Sequence, residues 1–317
     1  MHTLSITEIG VHNDVCVGHL KIGIVVNYNS TTDAIGCCKS LIAGGIDRVM
    51  VWDNASSEPI EELSEFAERN PSVVLWPSER NLGFGAAVNR AVALASEGLA
   101  EGVIWIVNPD ATVSKSALEH LHRALDDGWD FVSPVIFTGA HDHPTIWFAG
   151  GELDVASGNS QPVVEPLAPE SVKPATFLTG AALCTKLSTW RALGGFRNDL
   201  FMYWEDADLS YRATSRGFRL GVVADASVWH RVGGSQEVGG KSRLYYYYMG
   251  RNRIKVCAGA AGRFGIVFGK GARVTLRFVR AAIGERDAAL SKSMAFVWGT
   301  ITGLVGTFGT RSAIRGV

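Results

Sequence analysis

The 317-residue chain predicts an α/β fold, a mostly parallel sheet flanked by helices, and three observations predict it. Four short β-branched runs recur in the first third of the chain, each continuously apolar rather than alternating. Each run is followed by a stretch that can be helical. Apolar residues make up 47% of the chain and charged residues 19%, enough for a sizeable core and too apolar for a disordered chain. Strands without alternation are buried on both faces, which is the situation of a parallel sheet covered by crossover helices.

The elements justify this in order. Residues 1–20 have no clear period and read as an N-terminal extension. Strands follow at Ile22 to Asn27, Val49 to Trp52, Val73 to Trp76 and Val103 to Val107, with helices at Thr31 to Ala43, Pro59 to Arg69, Gly85 to Ala95 and Ser114 to Leu125. Ser30 or Thr31 can cap the first helix and Ser114 the fourth. A fifth strand starts at Phe131 and is expected to end at Pro134 or just beyond. Ile146 to Asp154 reads as a hairpin, and residues 157–174, rich in Pro, Ser and Gly, as a loop. A strand (Ala181 to Thr185), helices (Lys186 to Ala192 and Glu205 to Ser215), two short strands (Leu220 to Ala224 and Ser227 to Trp229) and a long helix from about Lys241 complete the body. The expected division is an extension at 1–20, a catalytic body at 21–255 and a helical tail at 256–317.

The formal net charge of -1 argues against a nucleic-acid partner. It hides an asymmetry: residues 1–250 carry -11 and residues 251–317 carry +10, with only Glu285 and Asp287 acidic in that tail. A basic, apolar tail suits an anionic surface, although a solvated basic helix face has the same composition. Arg263, Lys270, Arg273, Arg277 and Arg280 fall on one helical face, with Phe264, Phe268, Leu276 and Val279 largely opposite. Gly265, Gly269 and Gly271 weaken the first part of that helix. Phe296 to Phe308 is uncharged but about 13 residues long, short of the roughly 20 a span needs. The N-terminus lacks an apolar signal-peptide core, and five Cys without a CxxC pair read as small core residues in a reducing compartment.

Ligands in open α/β sheets bind beyond the carboxyl ends of the strands. There the chain carries Asn27-Tyr28-Asn29, Asp53-Asn54-Ala55-Ser56, Asn81-Leu82-Gly83-Phe84-Gly85 and Asn108-Pro109-Asp110. Asp53 can accept from a base or ribose, or close an Asx turn. The helix beginning near Gly85 can offer free N–H groups to an anion, or simply follow a tight turn. Asp110 stands where a divalent cation could bridge a diphosphate, and also where a turn former is expected. Glu205, Asp206 and Asp208 follow the aromatic run Phe201-Met202-Tyr203-Trp204; apolar walls raise a carboxylate's proton affinity and suit a general base, while acidic residues at a helix start also complement its dipole. His230 can add a nitrogen ligand to a metal held by oxygens.

Taken in order, these residues resemble the inverting glycosyltransferases of family 2, with their GT-A fold. The carriers are Asp53-Asn54-x-Ser56, Asn81-x-Gly83-x-Gly85-x-x-x-Asn89, Asn108-Pro109-Asp110, Phe201-x-Tyr203-Trp204-Glu205-Asp206-x-Asp208-Leu209-x-x-Arg212, and His230-x-x-Gly233-Gly234-Ser235, extended by Tyr245 to Tyr248 with Arg251-Asn252. Among branches the chain looks most like rhamnosyltransferases of cell-envelope polysaccharides. The resemblance implies Asn27, Asn29, Asp53, Asn81, Gly83, Asn89, Asn108 and Asp110 as donor-binding residues. It implies Gly180, Ala181 and Trp204 on the acceptor side, Asp206 as general base with Glu205 second, and Asp110 with His230 as ligands of Mg²⁺ or Mn²⁺. The first Asp of the family's metal motif is Asn108 here, which removes one carboxylate. Implied partners are a dTDP-rhamnose or UDP-sugar donor, a polyprenyl-linked glycan acceptor and the inner face of the cell membrane, met peripherally from the cytoplasm through the tail. Rival readings fare worse. A nicotinamide dehydrogenase needs G-x-G-x-x-G where Asn27-Tyr28-Asn29 stands. A nucleotidyltransferase needs a Gly-rich basic loop there. A non-catalytic sugar-nucleotide scaffold has no need of Glu205, Asp206 and Asp110.

Overall fold

The computed structural model describes residues 19–140, 142–231 and 240–306. The first half winds as the apolar runs require: β1 (Lys21–Asn27), α1 (Thr31–Ala43), β2 (Arg48–Asp53), α2 (Glu61–Arg69), β3 (Val73–Pro77), α3 (Phe84–Ala95) and β4 (Val103–Val107). β1 pairs in parallel with β2, Val25 beside Val51, and with β4, Ile24 beside Ile106. The chain therefore steps outward from β1 to β3 and then returns to the other side of β1. Strand order reverses between β1 and β4, which opens a crevice at their carboxyl ends. Ile22, Ile24, Val25, Val49, Val51, Ile104 and Trp105 are all fully enclosed, as expected of strands covered on both faces.

The second half extends the sheet with β5 (Ala111–Val113), α4 (Ala117–Asp126), β6 (Phe131–Thr138), β7 (Thr145–Phe148), β8 (Gly151–Asp154), β9 (Asn159–Pro162), β10 (Val172–Pro174), β11 (Ala182–Lys186), α5 (Leu187–Leu193), α6 (Glu205–Ser215) and β12 (Leu220–His230). The order is β10-β12-β6-β11-β4-β1-β2-β3, with β5 on β12, β7 on β6, and β8 and β9 forming a separate ribbon. β11 runs antiparallel to β4, pairing Ala182 with Val107, and so delivers residues 180–181 to the edge where β4 ends.

Several expectations are corrected. Ser30 occupies the N-cap of α1 but its side chain makes no cap bond, and α4 is preceded by Ser116 rather than Ser114. β6 continues through Pro134, which pairs with Val223 just where β12 shifts register; a residue without an N–H is tolerated at such an irregularity. Residues 146–154 do not fold on each other: β7 pairs with β6 and β8 with β9. The segment 157–174 holds β9 and β10, whose polar sequences lack an alternating signal. β12 is one strand rather than two.

The chain ends in α7 (Arg243–Ala261), α8 (Arg263–Phe268), α9 (Ala272–Ile283) and α10 (Ala289–Val305). Residue 255 lies inside α7, which continues to Ala261. α10 packs on α7 at backbone distance: a Cβ on Gly299 would sit 2.0 Å from the Tyr247 carbonyl oxygen. The break between α8 and α9 at residues 269–271 contains Lys270 and separates Arg263 from Arg273, Arg277 and Arg280, so the single basic face is interrupted at the glycines. Among the described residues, ten of the thirteen exposed large apolar side chains lie in this tail, Phe264, Phe268, Leu290, Met294 and Trp298 among them. No helix among the described residues is long and apolar enough to cross a membrane. The extension at 1–18, Gly233-Gly234-Ser235 and the end of the 296–308 stretch lie outside the described residues.

Candidate active site

Asn27 closes β1 and Asp53 closes β2, side by side in register. Both are enclosed. The Asp53 carboxylate accepts from Asn27 Nδ2 at 2.8 Å, from the Ser56 N–H at 3.1 Å and from the Ser56 hydroxyl at 2.6 Å. Asp53 thus braces the β2 turn, and the Asn27 Oδ1 has no partner among the described residues. Asn29 holds the facing turn through the Ser57 and Glu58 N–H groups. A cavity of about 560 Å³ opens beside it, lined by Asn29, Asp33, Glu58, Glu62 and Arg231. The next turn is held by Asn54, whose Nδ2 donates to Asn81 Oδ1 at 2.9 Å while its Oδ1 accepts the Leu82 N–H. Asn81 in turn accepts the Gly83 N–H at 2.9 Å.

Gly83 meets the aromatic run directly. Its φ is +80°, and a Cβ there would lie 2.1 Å from the Phe201 carbonyl oxygen, which accepts the Phe84 N–H at 2.7 Å. The run is conformationally unusual: Phe201, Tyr203 and Trp204 all have left-handed φ values of 53°, 64° and 72°. Asn252 of α7, fully buried, holds it by donating Nδ2 to the carbonyls of Leu200, Met202 and Tyr203 at 2.7, 2.8 and 2.9 Å. Trp204 caps α6 in the cluster with Leu200, Ile254 and Cys257, so the start of α6 is packed against α7.

Asp206 sits in the first turn of α6. Its Oδ2 accepts the Gly180 N–H at 3.1 Å and its Oδ1 the Ala207 N–H at 2.8 Å. Burial raises its proton affinity; the three backbone N–H groups around it oppose this, and the net direction is upward. Glu205 is more enclosed, its Oε2 has no partner among the described residues, and burial followed by the Asp206 charge pushes its carboxyl up to about 8. Asp208 faces away and pairs with Arg212 at 2.6 Å. Ala181, next to Gly180, accepts the Asn108 N–H at 2.9 Å. Asp206 and Asn108 are therefore tethered to adjacent residues.

Asp110, two residues further, lies 2.9 Å through Oδ1 from His230 Nε2, the last residue of β12. Burial alone would raise its carboxyl; the His230 bond and charge, with Arg231 nearby, outweigh this and hold it below the usual range. Asn108 Nδ2 lies 3.4 Å from the same His230 nitrogen, and His230 Nδ1 is buried without a partner among the described residues. One carboxylate and one imidazole fit an ion that takes most of its ligands from phosphates and water. No group of three or more potential ligands occurs among the described residues.

The structure thus brings together Asn29, Asn81, Gly83, Asn108, Asp110, Gly180, Ala181, Asp206 and His230 at one sheet edge. Asn27 and Asp53 lie beneath that surface as braces. Asn89 stands apart: its amide bonds Phe196 through both carbonyl and N–H, tying α3 to the turn after α5. Sequence reasoning named Asn54 and Asn252 within motifs without giving either a role, and passed over Arg231. Asn54 and Arg231 adjoin Asp53 and His230, while nothing local to Asn252 reveals its reach back by fifty residues.

Residues 24–156 match the family model described as Glycosyl transferase family 2. An N-acetylglucosaminyl-diphospho-decaprenol L-rhamnosyltransferase of Mycobacterium tuberculosis is 28% identical over 209 residues, which is 57% of this chain and 66% of the relative. A low-salt glycan biosynthesis hexosyltransferase of Haloferax volcanii is 25% identical over 207 residues, 62% of each chain. The matches span just under two thirds of the length of these curated relatives. Among solved structures, S. aureus TarS 1–349 aligns with a TM-score of 0.56 at 15% identity over 90% of this chain and 80% of that one. GalNAc-T7 with UDP, GalNAc and Mn²⁺ aligns at 0.55 and 18% over 73% and 47%. These likenesses bear on the fold, which is GT-A.

Proposed function

We propose that this chain, which belongs to glycosyl transferase family 2, moves a sugar from a nucleoside-diphosphate donor to an acceptor hydroxyl with inversion, using Asp206 as general base. The observation that carries this is the position of Asp206: a carboxylate of raised proton affinity, held by the Gly180 and Ala207 N–H groups beside the strand that also tethers Asn108. The acceptor oxygen attacks the anomeric carbon as the bond to the donor phosphate breaks. Asp206 takes the hydroxyl proton, and the nucleoside diphosphate leaves. A positioned base of this kind contributes roughly 10²- to 10⁴-fold. Asp110 and His230 would hold a Mg²⁺ or Mn²⁺ ion, whose chemistry is to neutralise charge on the leaving diphosphate. Arg231, paired with Asp33, adds a fixed positive charge beside the same edge. Asn29 and Asn81 would line the donor cleft between the β1 and β3 turns, over the brace of Asn27 and Asp53.

Rhamnose as the sugar and a polyprenyl-diphosphate-linked glycan as the acceptor are supported by the mycobacterial relative's name. The exposed apolar side chains of the tail, beside exposed Arg273 and Arg280, support peripheral attachment to an anionic membrane surface by residues 256–317. The test is Asp206→Asn. It is expected to abolish transfer from a nucleotide-sugar panel while nucleoside-diphosphate affinity stays within about twofold of wild type, since the change is isosteric and on the acceptor side. Wild-type turnover in that variant refutes the assignment.

A further inference from the structure

A second, larger cavity of about 800 Å³ lies between the aromatic run and the tail. It is lined by Trp204, by Tyr245 and Met249 of α7, by Arg277 and Phe278 of α9, and by Lys241 and Arg286. Trp204 directly precedes Glu205 and Asp206, so one wall of the cavity adjoins the start of the helix that carries the candidate base, and no residue of the donor edge lines it.

The charge of this cavity is poorly matched by protein groups. Among the described residues none of Lys241, Arg277 and Arg286 forms an ion pair with a carboxylate. Arg277 donates to Asn159 Oδ1 at 2.6 Å, and the Lys241 ammonium lies 5.3 Å from the Tyr245 ring centroid. Two carboxylates also line the cavity. Glu285 is already neutralised, by Lys292 at 3.2 Å with the Tyr246 hydroxyl at 2.8 Å. Asp287 is exposed, and leaves three cations facing one carboxylate. Burial pulls the Lys241 pKa down although Glu285 opposes it, and an anion bound beside it would favour the charged ammonium.

The surroundings are graded. At about 100° per residue, Arg273 and Arg280 stand within roughly 60° of Arg277 on α9, and Leu276 and Ile283 lie just beyond them. Leu276 and Ile283 are exposed. Moving around the helix from the cavity, aromatic and cationic groups give way to a basic ridge and then to bare apolar side chains. That succession matches an amphiphile with a polyanionic head.

We propose that the cavity receives the diphosphate head of a polyprenyl-linked acceptor, with Lys241, Arg277 and Arg286 supplying the positive charge and Tyr245 a stacking surface for the first sugar. The prenyl chain then leaves over the apolar side of α9. This rests on the reading that Asp206 serves a lipid-linked acceptor.

The test uses the full chain with saturating dTDP or UDP to fill the donor edge, and titrates farnesyl diphosphate, inorganic pyrophosphate and farnesol by calorimetry. Farnesyl diphosphate is expected to bind, and Arg277→Ala and Lys241→Ala to weaken it at least tenfold. Arg277→Lys should retain most of the affinity, and Arg273→Ala, on the same helix but outside the cavity, all of it. Thermal unfolding midpoints identify any variant that has lost its fold. Equal farnesyl-diphosphate affinity in folded Arg277→Ala and Lys241→Ala overturns the proposal. So does pyrophosphate binding as tightly as farnesyl diphosphate, which marks a site for a free diphosphate, or farnesol binding as tightly, which marks an apolar groove. Nucleoside-diphosphate binding by the wild type is read separately: its absence removes the transferase reading, whereas its presence with unchanged prenyl binding in the variants removes only this inference.

Discussion

Asn252 is where the scaffold and the chemistry are most tightly joined. Three non-glycine residues with left-handed φ stand within Phe201 to Trp204. Each costs on the order of 1–3 kcal/mol, so roughly 3–9 kcal/mol of unfavourable backbone conformation is concentrated there. Among the contacts that oppose it is one buried amide whose two hydrogens serve three carbonyl oxygens within 2.9 Å. Asn252→Ala leaves the Met202 and Tyr203 carbonyls without that donor, while the Leu200 carbonyl keeps the Met202 N–H; at about 1–3 kcal/mol per unsatisfied group, the net loss is about 2–4 kcal/mol. Asn252→Asp discriminates further. It keeps the shape but, when ionised, sets an oxygen against three oxygens; when protonated it regains one donor. At pH 8 the Asp variant should therefore be less stable than the Ala variant by about 1 kcal/mol or more, and the gap should close toward pH 5. Transfer should fall at least tenfold in both, because the run sets the register of Asp206, while nucleotide binding at the β1, β2 and β4 ends changes less. Urea unfolding at the two pH values and single-turnover transfer measure this. An Asp variant as stable as the Ala variant at pH 8 refutes the clamp.

Two further outcomes follow from the same loop. Gly83→Ala places a Cβ against Phe201 backbone atoms at 2.1 and 2.6 Å in a conformation with φ +80°, so a loss of roughly 3 kcal/mol or more in unfolding free energy is expected, together with collapse of transfer; a variant with wild-type stability contradicts the close approach. Glu205 has its carboxyl pushed up to about 8 in the fold from an ordinary value of 4.5. The folded state thus holds a proton that the unfolded state has released between those values, and stability from this group is present at low pH and lost as pH rises toward 8. Glu205→Gln should flatten that decline, gaining on the order of 1–4 kcal/mol relative to wild type at pH 8 and little at pH 4.5, read from unfolding midpoints across the range. A difference independent of pH contradicts the assignment of the raised carboxyl.

The parallel half of the fold was readable because its cause is local. Runs such as Val103 to Val107 are apolar without alternation only when both faces are covered, and the polar turn after each run marks the carboxyl edge. The second half resisted for the opposite reason. β9 and β10 are held by what they pair with, not by their own residues, and Pro134 is tolerated only because its partner strand shifts register at that point. The site divides the same way. Asp110, Asp206 and His230 advertise themselves as titratable groups at strand ends and a helix start. Whether Asp53 faces a ligand or braces a turn depends on Ser56 and Asn27 closing around it, which residue type alone does not reveal. Asn252 is invisible by type, since its bonds run back to residues 200–203.

The tail cannot be tested for membrane attachment by removing it. α10 buries Phe296 and packs Gly299 onto the Tyr247 carbonyl, and α7, through Asn252, holds the run that positions Asp206. Deletion of α10 would strip that face of α7 and disturb the site even if no membrane were involved. The informative change alters only the outer stripe, where Leu290, Met294 and Trp298 stand exposed at spacings of one helical turn. Each such side chain contributes on the order of 1.5–3 kcal/mol when moved from water into an apolar phase, so Leu290→Ser with Met294→Ser and Trp298→Ser should weaken binding to anionic vesicles at least tenfold. Unfolding midpoint and transfer to a water-soluble acceptor should stay near wild type, because none of the three is buried. Vesicle binding unchanged in the triple variant would leave the apolar stripe without a membrane role, whereas loss of soluble-acceptor transfer would mean that the stripe itself supports the catalytic run.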